Sequence, residues 1–502
     1  MLEARNGRVF STYEACRLGM LSLGAMALVA CTSPTEDPLS PQSTTALEDV
    51  SGMDLLIPAR VGPDGSPWFE DRTLQHRDYS AVQHALASVG RVMRDSEMGH
   101  EGYRPELAGD PMTEQGRAWL RVMQSAERFH DNERFAGTLE ASDEGWQPGR
   151  DLWLNELAQA AFSYHMHHSA GRWEGTGLFE PITFGSSPYL ADIAKHLIKQ
   201  HHESGRFHHG DGRVDQDSMA YGLDAWHSLS YSWVRWYKPG GAEDMGLIPE
   251  DRMASVHGLD RTELLNQARD LAETLDAAWE EQLGAYDFGN GGLYSLDALG
   301  SLVRGHKGVY EVLYVFGSDE DRDSAEQLFQ RNADMLMTVL ESDAILKPWG
   351  LVSAVEFHPG GVRAASDHVD TEAQWRFVNH LTGGFGILRE REGTSSFLES
   401  RPELRPAAGE FNDQLFLSAL EHQMPQGLMV SRLDWQSGDI LDAVPQVSAI
   451  GWFVTAAGNG YRSGDAFDRP GAWENDPQLA ERSRALYDTL LHHNAWLLKR
   501  LD

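Results

Sequence analysis

The feature that most constrains the fold is an alternation between two kinds of helical segment. Some segments have one apolar stripe and one charged face, as in "RTELLNQARDLAETLDAAWEE" and "EDRDSAEQLFQRNADMLMTVLE". An amphipathic helix of this kind covers the outside of a protein. Neighbouring segments, such as "SMAYGLDAWHSLSYSWVRWY" and "VPQVSAIGWFVTAAGNGYRS", carry apolar or small residues on every side. Helices of this second kind are buried on most sides, so the sequence predicts exposed and buried helices in alternation.

The same periodicity predicts about twelve helices, which is six consecutive pairs. This pattern resembles the architecture of an (α/α)6 toroid, in which six inner helices lie inside six outer ones. The resemblance implies an all-α fold of six helical hairpins, and we see no run of alternating strands. An α-solenoid is the main alternative, but the chain lacks the fixed repeat that a solenoid needs. The predicted helices lie near 80–95, 113–129, 150–169, 187–204, 217–237, 260–282, 293–316, 320–342, 368–388, 408–422, 443–460 and 476–500.

A short apolar run lies near the N-terminus. Arg17 precedes it, and it ends in the residues Leu28, Val29, Ala30 and Cys31. The run is roughly 13 residues long, which is too short to span a bilayer and is typical of a signal peptide. Its end resembles the lipobox of bacterial lipoproteins. That resemblance implies cleavage before Cys31, a lipid anchor on this residue and a body outside the cytoplasm, at the outer membrane if the source is Gram-negative.

The predicted domain organisation follows from this segment. Residues 1–30 are the expected lipoprotein signal peptide. Residues 31–54 are rich in Ser, Thr, Pro and acidic residues, which is typical of a flexible tether. Residues 55–502 are expected to form a single toroid domain. The only other cysteine, Cys16, would leave with the signal peptide, so we expect no disulfide in the mature chain.

The charge of the chain bears on its partners. The net charge is -34, and the acidic residues are spread along the whole sequence. Such an excess repels nucleic acid, which we therefore do not expect as a partner. It suits a salty environment, where ions screen the self-repulsion of the protein. An ordinary acidic exported protein is the alternative that this observation leaves open.

The chemically dense loops all precede predicted inner helices, and in a toroid such loops share one mouth. Aromatic side chains beside carboxylates suit a carbohydrate, because sugar faces stack on aromatic rings and paired carboxyl groups serve as acid and base. The candidate catalytic residues are Asp287 and Asp367, with His358 and His368 as alternatives. The candidate substrate-binding residues are Trp349, Arg376, Trp435, Tyr286 and Asp215.

One stripe of the predicted ninth helix is polar. Glu372, Arg376 and His380 recur every fourth residue and so share a face. A polar stripe on a buried helix is costly unless its groups are paired or face a wet cavity. Two interpretations stay open: Arg376 binds a ligand in the axial funnel, or Glu372 and Arg376 form an internal ion pair.

A histidine-rich region gives a metal alternative. His208, His209 and Asp211 lie close together in a glycine-containing loop, and histidine with carboxylate is a set of ligands that zinc accepts. The stretch "DGRVDQD" hints at calcium but does not match an EF-hand loop. Calcium or zinc is the divalent ion to consider here, although the favoured function requires no cofactor.

Three functional hypotheses remain. The first is a lipid-anchored carbohydrate-active enzyme, a hydrolase, lyase or epimerase that acts on glycans. The second is a lipoprotein that binds a glycan or another ligand without chemistry. The third is a metal-dependent or metal-handling lipoprotein. In each case the membrane is a partner through the lipid anchor.

Overall fold

The computed structural model describes residues 56–61, 67–68, 73–97, 118–119, 121–122, 125–131, 134–143, 145–170, 188–237, 254, 258–382, 387–388, 395–423, 427–463 and 477–499. All of them belong to one compact unit, Thr45–Asp502. The predicted signal peptide, Cys31 and the tether 31–54 lie outside the described residues, so the anchoring stays a prediction.

Helices dominate the described part of the chain. The helix predicted near 113–129 is described only in pieces, at 118–119, 121–122 and 125–126, and is followed by a 3-10 turn, Glu127–Phe129. Twelve α-helices are described: α1 (His76–Glu97), α2 (Leu154–Ala170), α3 (Pro188–His201), α4 (Gln216–Tyr237), α5 (Arg261–Ala278), α6 (Leu296–Phe316), α7 (Asp319–Leu340), α8 (Thr371–Thr382), α9 (Ser395–Ser400), α10 (Leu404–Glu421), α11 (Val447–Ser463) and α12 (Pro477–Leu498).

Six of these helices form a closed inner ring. Going round it, α1 packs against α2, α2 against α4, α4 against α6, α6 against α8, α8 against α11, and α11 closes back onto α1. The amphipathic helices α3, α5, α7, α10 and α12 pack outside this ring. The fold is therefore an (α/α)6 toroid, and the prediction of an all-α toroid of about twelve helices is confirmed. None of the described helices combines the length and apolar character needed to cross a membrane.

The inner helices approach one another closely where they carry glycine. A Cβ atom on Gly305 of α6 would lie 2.5 Å from the Cβ of Leu223 on α4. One turn later, a Cβ on Gly308 would lie 2.8 Å from the Cβ of His227. The absence of a side chain at these two positions lets α4 and α6 pack backbone to backbone, as the small residues of these segments predicted.

Short strands connect the helices. No run of alternating strands is visible in the sequence, because the strands present have only two to five residues and are too short to show an alternating pattern. The strands are β1 (Arg60–Val61), β2 (Pro67–Trp68), β3 (Thr73–Gln75), β4 (His130–Asp131), β5 (Arg134–Phe135), β6 (Thr138–Ser142), β7 (Gly145–Pro148), β8 (His202–Glu203), β9 (Arg206–Phe207), β10 (Trp279–Glu280), β11 (Ala285–Tyr286), β12 (Leu293–Ser295), β13 (Leu346–Lys347), β14 (Gly350–Leu351), β15 (Ala354–His358), β16 (Gly361–Ala364), β17 (His368–Asp370), β18 (Arg432–Asp434) and β19 (Ile440–Asp442).

Antiparallel pairing between these strands ties together the loops that precede inner helices. Strand β3, before α1, pairs with β6, before α2. Strand β12, before α6, pairs with β15, before α8. Strand β17, also before α8, pairs with β18, before α11. The inner helices thus begin at one end of the ring, and we call the loops at this end the mouth.

Candidate active site

The mouth end of the ring carries acidic side chains in the first turns of several inner helices. Asp217 is the second residue of α4, Asp297 of α6 and Glu372 of α8. A carboxylate in the first turn of a helix is stabilised by the helix dipole and by free backbone N–H groups. Because α6 packs against both α4 and α8, these three acids lie in one sector of the mouth.

Asp297 is the centre of this sector. Its Oδ2 atom accepts a hydrogen bond from the guanidinium of Arg376 at 2.5 Å and another from the hydroxyl of Tyr221 at 3.1 Å. Arg376 comes from α8 and Tyr221 from α4, so three inner helices meet at this carboxyl group. The other oxygen, Oδ1, is buried and has no hydrogen-bond partner among the described residues.

The surroundings of Asp297 alter its acidity. Burial raises the pKa of this carboxyl group from its ordinary value of 3.8 to about 6. The positive charge of Arg376 opposes the rise, whereas the negative charge of Glu372 adds to it. Desolvation therefore outweighs the ion pair, and Asp297 changes its protonation state close to neutral pH. A group of this kind is suited to proton transfer.

Two further acids lie near Asp297. Glu372 accepts a hydrogen bond from the hydroxyl of Ser448 on α11, at 2.6 Å between the oxygens. Burial, followed by the nearby charge of Asp215, raises the pKa of Asp217. The Glu372–Arg376 ion pair considered from the sequence is not the one formed, since Arg376 pairs with Asp297 instead.

A buried ionic cluster lies one to two helical turns further into the ring. The guanidinium of Arg304 donates to Asp224, and both side chains are almost fully buried. The imidazole Nε2 of His380 lies 3.6 Å from the second oxygen of Asp224. Burial and the charges of Arg304 and Arg376 hold the pKa of His380 well below its ordinary value, so this imidazole is neutral.

Aromatic rings pack beside this cluster. The guanidinium of Arg304 lies 4.4 Å from the ring centre of Phe162, which stacks on His84. The ring of Trp452 is 4.7 Å from that of His84, and Arg376 lies above the indole at 5.5 Å. Helices α1, α2, α6, α8 and α11 all contribute to this packing.

The predicted catalytic residues lie at the mouth, but they are not part of the buried group around Asp297. Asp287 Oδ1 accepts three backbone N–H groups, from Gly289, Asn290 and Gly291, and so holds a glycine-rich turn. His358 and Asp367 are on the loops before α8, and Asp367 is 91% exposed. His368 bridges Asp367 and Ser353 through its two ring nitrogens. Their catalytic roles stay predictions.

The predicted binding residues have varied surroundings. Trp435 is buried, and its carbonyl accepts the indole N–H of Trp349. Tyr286 is fully buried between Trp279 and His306, so its ring offers no face to a ligand in this structure. Asp215 caps the N-terminus of α4 and pairs with His209 and Arg213. Of the predicted binding residues, Arg376 is the one that reaches Asp297.

The predicted metal ligands do not converge. His208 Nδ1 contacts the carbonyl oxygen of His209, His209 Nε2 bonds to Asp215, and Asp211 Oδ1 accepts the N–H of Arg213. Within the described ranges, no group of three His, Cys, Asp or Glu side chains is arranged to hold a metal ion. This described part of the chain therefore gives the metal hypothesis no set of ligands.

Asp297 and its partner Tyr221 were missed in the sequence. Asp297 lies in "YSLDALGS", where Ser295 caps the helix and an acid in the first turn is ordinary. The sequence did contain one indication of this site. Helices α4, α6 and α8 are buried, and each carries an acidic residue at its second position. Read together with the polar stripe of α8, this repeat points to the mouth.

Comparison with known proteins finds similarity to solved structures but no match by sequence. No protein-family model matches the sequence, and no curated protein matches it either. Among solved structures, the chain resembles cellobiose 2-epimerase from Bacillus thermoamylovorans B4167 (TM-score 0.46, 9% identity, covering 82% of this chain and 94% of that chain). It also resembles a sugar epimerase from a ruminal bacterium (0.45, 8%, 80% and 92%) and a D-mannose isomerase (0.43, 12%, 82% and 96%). With identities and TM-scores this low, the function of this chain has to be inferred from its own residues.

Proposed function

We propose that this protein is a carbohydrate-active enzyme in which Asp297 acts as a general base at the mouth of the toroid. The observation that supports this most directly is the state of the Asp297 carboxyl group. One of its oxygens is held by Arg376 and Tyr221, the other has no partner among the described residues, and its pKa is raised to about 6. A base with a pKa near the working pH is the most effective in proton transfer.

The surrounding residues suit a polyhydroxylated substrate. Glu372 and Asp217 bring further carboxyl groups to the same sector, and these accept hydrogen bonds from hydroxyl groups. Arg376 and Tyr221 fix the orientation of Asp297 rather than leave it mobile, which keeps its carboxyl group in place for proton transfer. The proposed chemistry is removal of a proton from a sugar carbon, in an epimerase or lyase, or from water, in a hydrolase.

The test is a screen of glycans for turnover in D2O by NMR and mass spectrometry. Deuterium at a sugar carbon indicates epimerisation, an unsaturated product indicates a lyase, and cleavage without either indicates hydrolysis. Asp297→Asn should lower turnover by a factor of 100 or more, on the order of the contribution of a general base. Binding of the same glycan should persist.

The matched control is Asp323→Asn on the outer helix α7, which removes an exposed carboxylate far from the mouth and should leave turnover unchanged. If Asp297→Asn retains the wild-type rate, the assignment of Asp297 is wrong. Binding by the wild type without turnover of any glycan would instead favour a non-catalytic binding protein. Loss of turnover in EDTA, with recovery in calcium or zinc, would favour the metal hypothesis.

We further propose that Cys31 carries the lipid that holds this enzyme at a membrane, outside the cytoplasm. The support is the lipobox-like sequence before Cys31 and the tether that follows it. Cys31→Ser should abolish lipid labelling with a palmitate analogue in cells and leave the precursor unprocessed. A Cys31→Ser protein that is still cleaved and still sediments with membranes would contradict the anchoring.

A further inference from the structure

Large apolar side chains are exposed mainly at the mouth. Each of the five found among the described residues lies in a segment that leads into an inner helix. Exposed apolar groups gathered in one region of a surface indicate a binding site. Only one of them is aromatic, and it is the most exposed, at 62%. The five residues are Trp153, Val214, Leu293, Ile440 and Leu441.

The indole of Trp153 rests on a fixed support. The guanidinium of Arg150 lies 3.9 Å from the centre of its ring. Arg150 is itself held by two hydrogen bonds of 2.6 Å to the buried carboxylate of Glu156, and by a further bond to Gln75. Glu156 also accepts the backbone N–H of Trp153. A cation over an aromatic face contributes about 0.5–1 kcal/mol at exposed sites, which favours this arrangement of the two side chains.

The support leaves the ring presented to solvent. One face of the indole meets Arg150, and the side chain as a whole remains mostly exposed. An exposed ring that is already oriented loses little conformational entropy when a ligand stacks on it. The apolar face of a sugar ring is the partner that suits such a platform beside an acidic mouth, because its C–H groups stack on the indole while its hydroxyl groups remain hydrated.

The position of Trp153 sets the size of the ligand. Trp153 directly precedes α2, whereas Asp297 lies on α6, and α4 stands between these helices in the ring. Neighbouring helices pack 8–10 Å apart, so in a ring of six the axes of α2 and α6 are separated by about 16 Å. A single sugar ring does not span such a distance, but a chain of several sugar units does.

We propose that Trp153 is a stacking subsite for a distal sugar ring, so that the mouth binds an oligosaccharide rather than a free monosaccharide. This inference rests on the proposed function at Asp297. Trp153 contributes binding and selection of chain length, and Asp297 contributes the chemistry. The residue pair Arg150 and Glu156 positions the platform.

Calorimetric titration tests the proposal, with glucose and with β-1,4- and α-1,4-linked gluco-oligosaccharides up to the hexasaccharide as probes. Trp153→Ala should weaken binding of the best hexasaccharide about tenfold, the upper end of what an aromatic contact contributes. Its effect on glucose should be within error. Trp153→Phe should keep most of the affinity. Asp323→Asn, on the outer helix α7 and away from the mouth, is the control and should bind as the wild type does.

A second measurement does not depend on the alanine variant folding. Acrylamide, a neutral quencher, should quench wild-type fluorescence less when the hexasaccharide is bound, and this protection should be absent in Trp153→Phe. If neither affinity nor protection depends on Trp153, while Asp297→Asn still abolishes turnover, the subsite is overturned and the proposed function stands. If the wild type binds none of these oligosaccharides, the subsite and its carbohydrate premise both fall.

Discussion

Two opposing effects act on the Asp297 carboxyl group, and their balance determines what this residue does. The ion pair with Arg376 favours the charged form, whereas burial favours the neutral form and prevails. If Asp297 is the general base, the rate should rise with pH through about 6, because a base must be ionised to accept a proton. A rate profile without this limb, measured on the best substrate, would argue against Asp297 as the base.

Tyr221→Phe should shift the pH at which the rate rises. The variant loses the hydroxyl group that donates to the charged form of Asp297. A hydrogen bond to a charged group contributes about 1.5–3 kcal/mol, so the pH at which the rate rises should shift upward by roughly one to two units. Tyr314→Phe, at the far end of α6, is the control and should leave the profile in place. A downward shift in Tyr221→Phe would mean that the hydroxyl does not stabilise the carboxylate.

The raised pKa also predicts how stability depends on pH. The folded state of Asp297 titrates near 6 and the unfolded state near 3.8, so the folded protein binds more protons between these values. The associated stability is present below about 4 and is lost as pH rises through 6. Asp297→Asn does not titrate, so it should gain up to about 3 kcal/mol relative to the wild type between pH 4 and pH 7. Urea unfolding at both pH values measures this; a relative loss would mean that Arg376 dominates.

For single residues, the sequence alone identified one member of the Arg376–Asp297 pair and missed the other. Arg376 was recognised because a charged stripe on an apolar helix is unusual and requires an explanation. Asp297 was missed because an acid in the first turn of a capped helix is ordinary and requires no explanation. Its distinctive property, the raised pKa, comes from burial by α4 and α8, which are distant in the sequence.

Among the elements, α4 and α6 depend on glycine for their contact. Gly305→Ala should destabilise the fold by about 1–3 kcal/mol, since its Cβ would meet the backbone and side chain of Leu223. Gly409 on the outer helix α10 has open space around its Cα, so Gly409→Ala should stabilise by about 0.5–1 kcal/mol through helix propensity. The opposite signs, measured by urea unfolding, separate packing from propensity. Equal effects would contradict the close approach.

The strands show where periodicity fails as a guide. Strands β15 and β16 have five and four residues, and most of the others have two or three. Such segments contain too few residues to establish a period of two, and their partners come from distant loops. The pairing of β12 with β15 joins residues about sixty positions apart, on either side of α6 and α7. Helices, whose bonds are local, were predictable; the hairpins at the mouth were not.

For the whole molecule, the alternation of exposed and buried helices was sufficient to predict two rings. Closure of the inner ring depends on the contact between α11 and α1, which lie at opposite ends of the described chain. No local pattern encodes that contact. The count of six pairs favoured it, because six pairs are what a closed toroid of this kind requires.

The net charge of -34 gives a prediction that belongs to the molecule as a whole. At pH 7 the acidic groups repel one another, and this repulsion weakens as the Debye length falls from about 30 Å at 0.01 M salt to about 10 Å at 0.1 M. The melting temperature at pH 7 should therefore rise with sodium chloride, most steeply over this range. Near pH 5, close to the pI of about 4.9, the net charge is small and the same salt series should have little effect. An equal salt dependence at both pH values would mean that screening of the net charge is not the cause. A melting temperature that falls with salt at pH 7 would mean that local ion pairs such as Arg269–Asp321 outweigh the general repulsion.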